Sequence, residues 1–228
     1  MRSRPWKQAL VVGLAVLTAL GCDRLPGRPD PDQRPILPSQ VRAFSELYTE
    51  NCSGCHGADG RLGAARPLND PLYLALVDDD TLRQIIGLGV ARTAMPGFSQ
   101  KGGGFLTDEQ VDVLIREMRW RWGRPEQFKD VALPPYRGAG GDPARGREAY
   151  RVYCASCHGE DGRGTPKGGS VIDRAFVTLV SDQSLRSAVI AGRPDLGMPD
   201  FRKAAPKRAM SAEEIADVVA WLAGHRVP

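Results

Sequence analysis

Cys52-Ser53-Gly54-Cys55-His56-Gly57-Ala58-Asp59-Gly60-Arg61 has a second copy in Cys154-Ala155-Ser156-Cys157-His158-Gly159-Glu160-Asp161-Gly162-Arg163, with 98 residues between Cys55 and Cys154. The two stretches take four of the five cysteines and two of the three histidines. Outward from them the match continues. With one residue of slippage, Tyr73 to Leu82 (YLALVDDDTL) matches Phe176 to Leu185 (FVTLVSDQSL). Met95-Pro96-Gly97-Phe98 matches Met198-Pro199-Asp200-Phe201, and Thr107 to Ile115 (TDEQVDVLI) matches Ser211 to Val219 (SAEEIADVV). One unit is used twice.

The pattern C-x-x-C-H reads as a site for covalent attachment of a c-type haem. Two thiols add to the two vinyl groups of the porphyrin, and the adjacent histidine on the same short turn reaches the iron. Three other readings compete. A zinc ribbon places its cysteine pairs about 15 to 20 residues apart, so the gap here excludes a compact local site. A thioredoxin-like redox pair lacks the histidine and sits in a βαβ pattern, which is not found. Disulfides within each pair would leave the rest of the repeat unexplained.

The motifs resemble those of class I c-type cytochromes in tandem, over about residues 39–122 and 142–228. The resemblance implies an all-α fold of two tandem class I cytochrome c domains, each wrapped around a covalently attached haem. It also implies cofactor binding by Cys52, Cys55, His56 and Met95 in the first domain and by Cys154, Cys157, His158 and Met198 in the second. Each methionine serves as the iron ligand opposite the histidine, 39 residues after His56 and 40 after His158. The following proline biases each methionine toward extended backbone, which holds it in a loop. Met118 and Met210 lie on or beside helical patterns and read as filler or surface. His225 reads as an exposed side chain or a helix-end cation.

With histidine and methionine on opposite faces, neither iron keeps an open position, and this ligation raises the potential. The expected role is single-electron transfer outside the cytoplasm between a redox protein donor and acceptor, in a respiratory or photosynthetic chain. The alternative is a dihaem enzyme, peroxidase-like or thiosulfate-oxidising. It requires an exchangeable iron or a cysteine ligand, and no unassigned cysteine remains once Cys22 is lipidated.

That assignment of Cys22 comes from the N-terminus. Arg2, Arg4 and Lys7 precede a 12-residue apolar run, Ala9 to Leu20, too short to span a membrane and laid out as a secretory signal. It ends in Thr18-Ala19-Leu20-Gly21-Cys22, which resembles a lipoprotein cleavage site, so residues 1–21 read as signal peptide and Cys22 as the lipidated first residue of a membrane-tethered, periplasmic or extracytoplasmic chain. Ordinary signal cleavage or an uncleaved anchor is the competing reading. Loss of residues 1–21 takes the formal charge from +4 to +1, leaving 28 Lys plus Arg against 27 Asp plus Glu. No sustained basic stripe appears, so nucleic acid is set aside as a partner.

Helical signals fill each unit. Val41, Phe44, Leu47 and Tyr48 follow helical spacing behind Ser39, and Asp142-Pro143 opens the second copy as a cap with proline at the first helical position. Thr107-x-x-Gln110 and Ser211-x-x-Glu214 are capping boxes for the last helices, whose apolar faces are Val111, Leu114, Ile115, Met118 and Ile215, Val218, Val219, Leu222. Residues 22–38, with five prolines, read as a tether, and residues 123–141 as a linker, free or packed along the domain interface. Residues 39–122 carry a balance of −2 and residues 142–228 of +2, with Arg202, Lys203, Lys207 and Arg208 forming a basic cluster suited to docking an acidic partner or to simple solvation.

Overall fold

A side chain that satisfies the first free backbone amides lets a short helix start, and seven of the ten described α-helices start on one. A computed structural model describes residues 35–204 and 208–226. In the first copy of the repeat they form α1 (Phe44–Asn51), α2 (Ser53–His56), α3 (Pro71–Leu76), α4 (Asp79–Leu88) and α5 (Asp108–Trp122). The second copy contributes α6 (Pro143–Tyr153), α7 (Ala155–His158), α8 (Arg174–Leu179), α9 (Asp182–Ala191) and α10 (Ala212–Ala223). Among the described residues there is no strand, only three isolated bridges. The signal, Cys22 and most of the tether lie outside the described residues.

The caps repeat with the sequence. Asp70 accepts from the amides of Leu72 and Tyr73, with Pro71 at the first helical position of α3, and Asp78 caps α4 at Thr81. Asp173 and Ser181 do the same for α8 and α9. Both capping boxes form as expected, and Asp142 caps α6 ahead of Pro143. The first helix departs from the expectation. It begins at Phe44, and Ser39 lies in a 3-10 turn, Pro38–Gln40. Gln110 Nε2 donates to the Val41 carbonyl at 3.1 Å.

The chain divides into residues 1–40, of which only 35–40 are described, and 41–228, which contains both copies in one body. Within that body the last helix of each copy packs against its first, α5 on α1 and α10 on α6. All eight apolar positions expected on α5 and α10 are buried, and both Met118 and Met210 are core residues. Burying one such Leu, Ile or Met contributes about 1.5–3 kcal/mol. The α6–α10 crossing is close: a Cβ on Gly146 would lie 2.0 Å from the Asp217 carbonyl oxygen.

Between the copies, α3 packs on α9. Residues 123–141 run along the body, with Phe128, Leu133 and Tyr136 packed on the core. Arg186 of α9 donates to the carbonyls of Pro135 and Tyr136, and Gln183 to that of Tyr136. A second clasp joins the copies directly. Arg193 and Asp195 form a bidentate ion pair at 2.9 Å, Asp195 accepts from the Leu62 amide, and Arg193 donates to the Gly63 carbonyl. Arg193 holds the Asp195 carboxyl below its usual range.

Candidate haem sites

Each C-x-x-C-H stretch is a tight helical turn that continues from the end of α1 or α6. The amides of His56 and His158 donate to the carbonyls of Cys52 and Cys154, at 3.0 and 2.9 Å, so both cysteines and the histidine share one turn. Gly57 and Gly159 then leave the helix at φ 85° and 81°, left-handed values that explain why glycine follows the histidine in both copies. Tyr48 and Tyr150, four residues ahead of the first cysteine, donate their hydroxyls to the carbonyls of these same glycines at 2.9 and 2.8 Å.

The histidine rings are oriented from behind. Nδ1 of His56 meets the Arg66 carbonyl at 2.8 Å, and Nδ1 of His158 meets the Gly169 carbonyl at 2.8 Å. A carbonyl only accepts, so each Nδ1 carries the proton and Nε2 keeps its lone pair, the tautomer that a metal-bound histidine needs. Burial is the main influence on His56 and pulls its imidazole below the usual range, which keeps it neutral. The four cysteines are free thiols, and burial together with the neighbouring cysteine pushes Cys52 and Cys154 up to about 12. Among the described residues no group of three or more His, Cys, Asp or Glu is placed to hold a metal ion.

Met95 and Met198 are half-buried in loops that return to α4 and α9. The loops are pinned alike: the Phe98 amide donates to Ile86, the Phe201 amide to Ile190, and Met198 exchanges two backbone bonds with Arg193. These donor sets fit a haem. Each copy offers two thiols for covalent attachment, an imidazole fixed in the ligating tautomer and a thioether on a returning loop. The guanidinium of Arg66 adds Nε and Nη2, both buried and without a hydrogen-bond partner.

Two pairs of residues escape the repeat alignment. Trp122 packs on Tyr48 at 5.4 Å, and Trp221 on Tyr150 at 4.3 Å, and each tryptophan closes over the loop glycine, Gly60 or Gly162. Arg119 donates to the carbonyls of Leu74 and Val77 and pairs with Asp79, while Arg226 serves the equivalent Val177, Val180 and Asp182. Trp122, Arg119 and Trp221 take these roles from the terminal helices, and Arg226 from just past the end of α10. His225 sits at a helix end, half-buried, its Nδ1 on the Trp221 carbonyl at 2.9 Å.

The basic cluster is weaker than its sequence. Arg202 is paired with Asp200 and Arg208 with Glu214, Lys207 lies outside the described residues, and Lys203 is exposed.

The model of the family described as "Cytochrome C oxidase, cbb3-type, subunit III" matches residues 39–116 and 141–222, one match for each copy of the repeat. The chain belongs to this family of c-type cytochromes. A tandem cytochrome c fold follows, with covalently bound haem c as its cofactor. Relatives include the "Cytochrome bc1 complex cytochrome c subunit" of Corynebacterium diphtheriae, 35% identical over 97% of this chain and 79% of that protein. The "Cbb3-type cytochrome c oxidase subunit FixP" of Bradyrhizobium diazoefficiens is 26% identical over 78% of this chain and 59% of that protein. A "Thiosulfate dehydrogenase" of Stutzerimonas stutzeri is 29% identical over 54% of this chain and 42% of that protein. The tandem cytochrome spans between 59% and 62% of the length of the mycobacterial and Bradyrhizobium relatives that it matches.

Proposed function

We propose that the chain binds two haem c groups, the first through Cys52, Cys55, His56 and Met95 and the second through Cys154, Cys157, His158 and Met198, and relays single electrons between redox proteins outside the cytoplasm. The observation that carries this reading is the duplicated turn with each histidine Nδ1 tied to a backbone carbonyl. A bound haem supplies the one-electron couple. The protein's part would be to attach it at the paired cysteines and to supply an imidazole and a thioether to the iron in each copy. The relatives named as subunits of a bc1 complex and of a cbb3-type oxidase support a partner in a membrane respiratory chain. The signal layout and the Thr18-Ala19-Leu20-Gly21-Cys22 stretch support attachment through lipid at Cys22, and no helix among the described residues is long and apolar enough to cross a membrane.

Mass spectrometry of the exported chain should find two added haems, and the Cys52→Ala, Cys55→Ala double variant should retain one. Zinc without haem would overturn the reading. Met95→Ala and Met198→Ala should each remove part of the weak near-infrared band of methionine bound to ferric haem. Loss of that band from Met118→Ala or Met210→Ala would reassign the ligands.

The thiosulfate dehydrogenase relative favours one second reading, a dihaem enzyme with an exchangeable iron. Ready uptake of carbon monoxide by the native reduced protein would support it, whereas two closed irons should resist. For the anchor, Cys22→Ser should abolish acylation and release the protein from the membrane fraction.

A further inference from the structure

Although the two sites share a sequence motif, their surroundings differ behind the histidine. In the first copy the carbonyl that holds Nδ1 belongs to Arg66, and in the second to Gly169, which aligns with it one residue of slippage into the repeat. Arg66 stacks over Tyr73 at 3.6 Å, and its Nε and Nη2 are buried without a partner. Its environment is built by both copies. Tyr73 and Asp70 come from the first, Tyr136 from the connecting segment and Arg193 from the second. Little there cancels its charge. The Asp195 carboxylate is committed to Arg193. Asp70 places Oδ1 on the amides of α3, its Oδ2 has no partner, and burial holds its carboxyl above the usual carboxylate range. His56 is 7% exposed, whereas His158 is only half-buried.

We propose that the buried guanidinium of Arg66 sets the first haem site above the second in reduction potential, so that an electron received at the second site comes to rest at the first. This rests on the dihaem reading above. A ferric site carries one more positive charge than a ferrous one, so a fixed cation next to the histidine disfavours the ferric form, and burial adds to that effect. Nε and Nη2 form the edge of the guanidinium that donates side-on to a carboxylate, and a haem brings carboxylates of its own. Pairing with one of them removes a negative charge from the haem's surroundings, which moves the potential in the same direction. In the transfer itself one electron leaves the second site, which is oxidised, and reduces the first, and no proton is required.

The test is a potentiometric titration of the full-length holoprotein, with its haems counted by the pyridine haemochrome method. Arg66→Gln should lower the higher of the two potentials by about a tenfold change in the reduction equilibrium, about 59 mV for one electron, and leave the lower in place. Arg66→Lys, which keeps the charge, should recover most of that loss. Gly169→Arg is open to substitution, since a Cβ there meets nothing within 4 Å. It should raise the lower potential, by less than Arg66→Gln lowers the other, because residue 169 is exposed and its charge is screened. If two haems are present and Arg66→Gln moves the lower potential or neither, this proposal fails alone. Fewer than two haems in the unaltered chain overturns the dihaem reading and this one with it. If Arg66→Gln cannot hold its haem, Gly169→Arg decides, and an unmoved lower potential overturns the proposal.

Discussion

Gly192 leaves α9 at φ 71°, and a Cβ there would lie 2.4 Å from the Pro199 carbonyl oxygen; Gly89 does the same for α4 at φ 74°, with the Met95 oxygen 2.6 Å away. Alanine at either position would push the methionine loop off the helix end, at about 1–3 kcal/mol for the strained backbone alone. Gly192→Ala is expected to weaken the near-infrared methionine band of the second site while leaving the first intact. An unchanged spectrum would show that the loop tolerates the displacement. Glu214 makes a second prediction at this scale. Its hydrogen bonds with Arg208 hold its carboxyl down at about 2, against 4.5 for an ordinary glutamate. A lowered folded-state value stabilises the fold above about pH 4.5, and that contribution is lost as pH falls from there toward 2. Urea unfolding at pH 7 and pH 3 should therefore show a smaller acid loss in Glu214→Gln than in the native chain. The variant keeps a side-chain acceptor for the Ser211 amide but has no charge to lose.

The terminal helices of the two copies do equal work from different turns. In α5, Arg119 comes before Trp122, while after the start of α10 the order is reversed, Trp221 before Arg226. The capping boxes, the Asp142-Pro143 start and the apolar stripes were legible because each is a local rule, expressed within three or four residues of itself. The tryptophan and arginine contacts were not, because they are fixed by how the end of the chain in each copy lies against the first helix and the α3 or α8 end, and an exchange of their positions leaves the apolar stripe unchanged. The same limit applies to the acceptor carbonyls of Arg66 and Gly169, since backbone atoms leave no trace in residue type. At the crossing itself, Gly146 allows α6 and α10 to approach, whereas its counterpart in the first copy is Phe44, stacked on Tyr48 at 5.4 Å. Gly146→Ala should therefore destabilise the second copy by roughly 1–3 kcal/mol through overpacking. Thermal unfolding followed by hydrogen exchange in each copy should show the second copy opening first.

The two copies are tied by Arg193 and Asp195, whose side chains are 17% and 2% exposed, and by the segment laid across α9. Removing one partner of a buried pair leaves the other uncompensated, so Asp195→Ala should cost about 3 kcal/mol and free the Leu62 amide. Hydrogen exchange should then rise at residues 62–66, directly behind His56, and not at the equivalent loop of the second copy. Equal protection before and after would show that the clasp is dispensable. The exchanged order of Trp and Arg also bears on ancestry. A chain born by duplication starts with two interchangeable halves, and here that interchangeability is gone. Grafting residues 212–226 in place of 108–122 would bring a tryptophan and an arginine, each on the wrong turn to reach Tyr48 or the end of α3. Each half keeps the common outline but closes it with contacts that the other half has no residue in place to make.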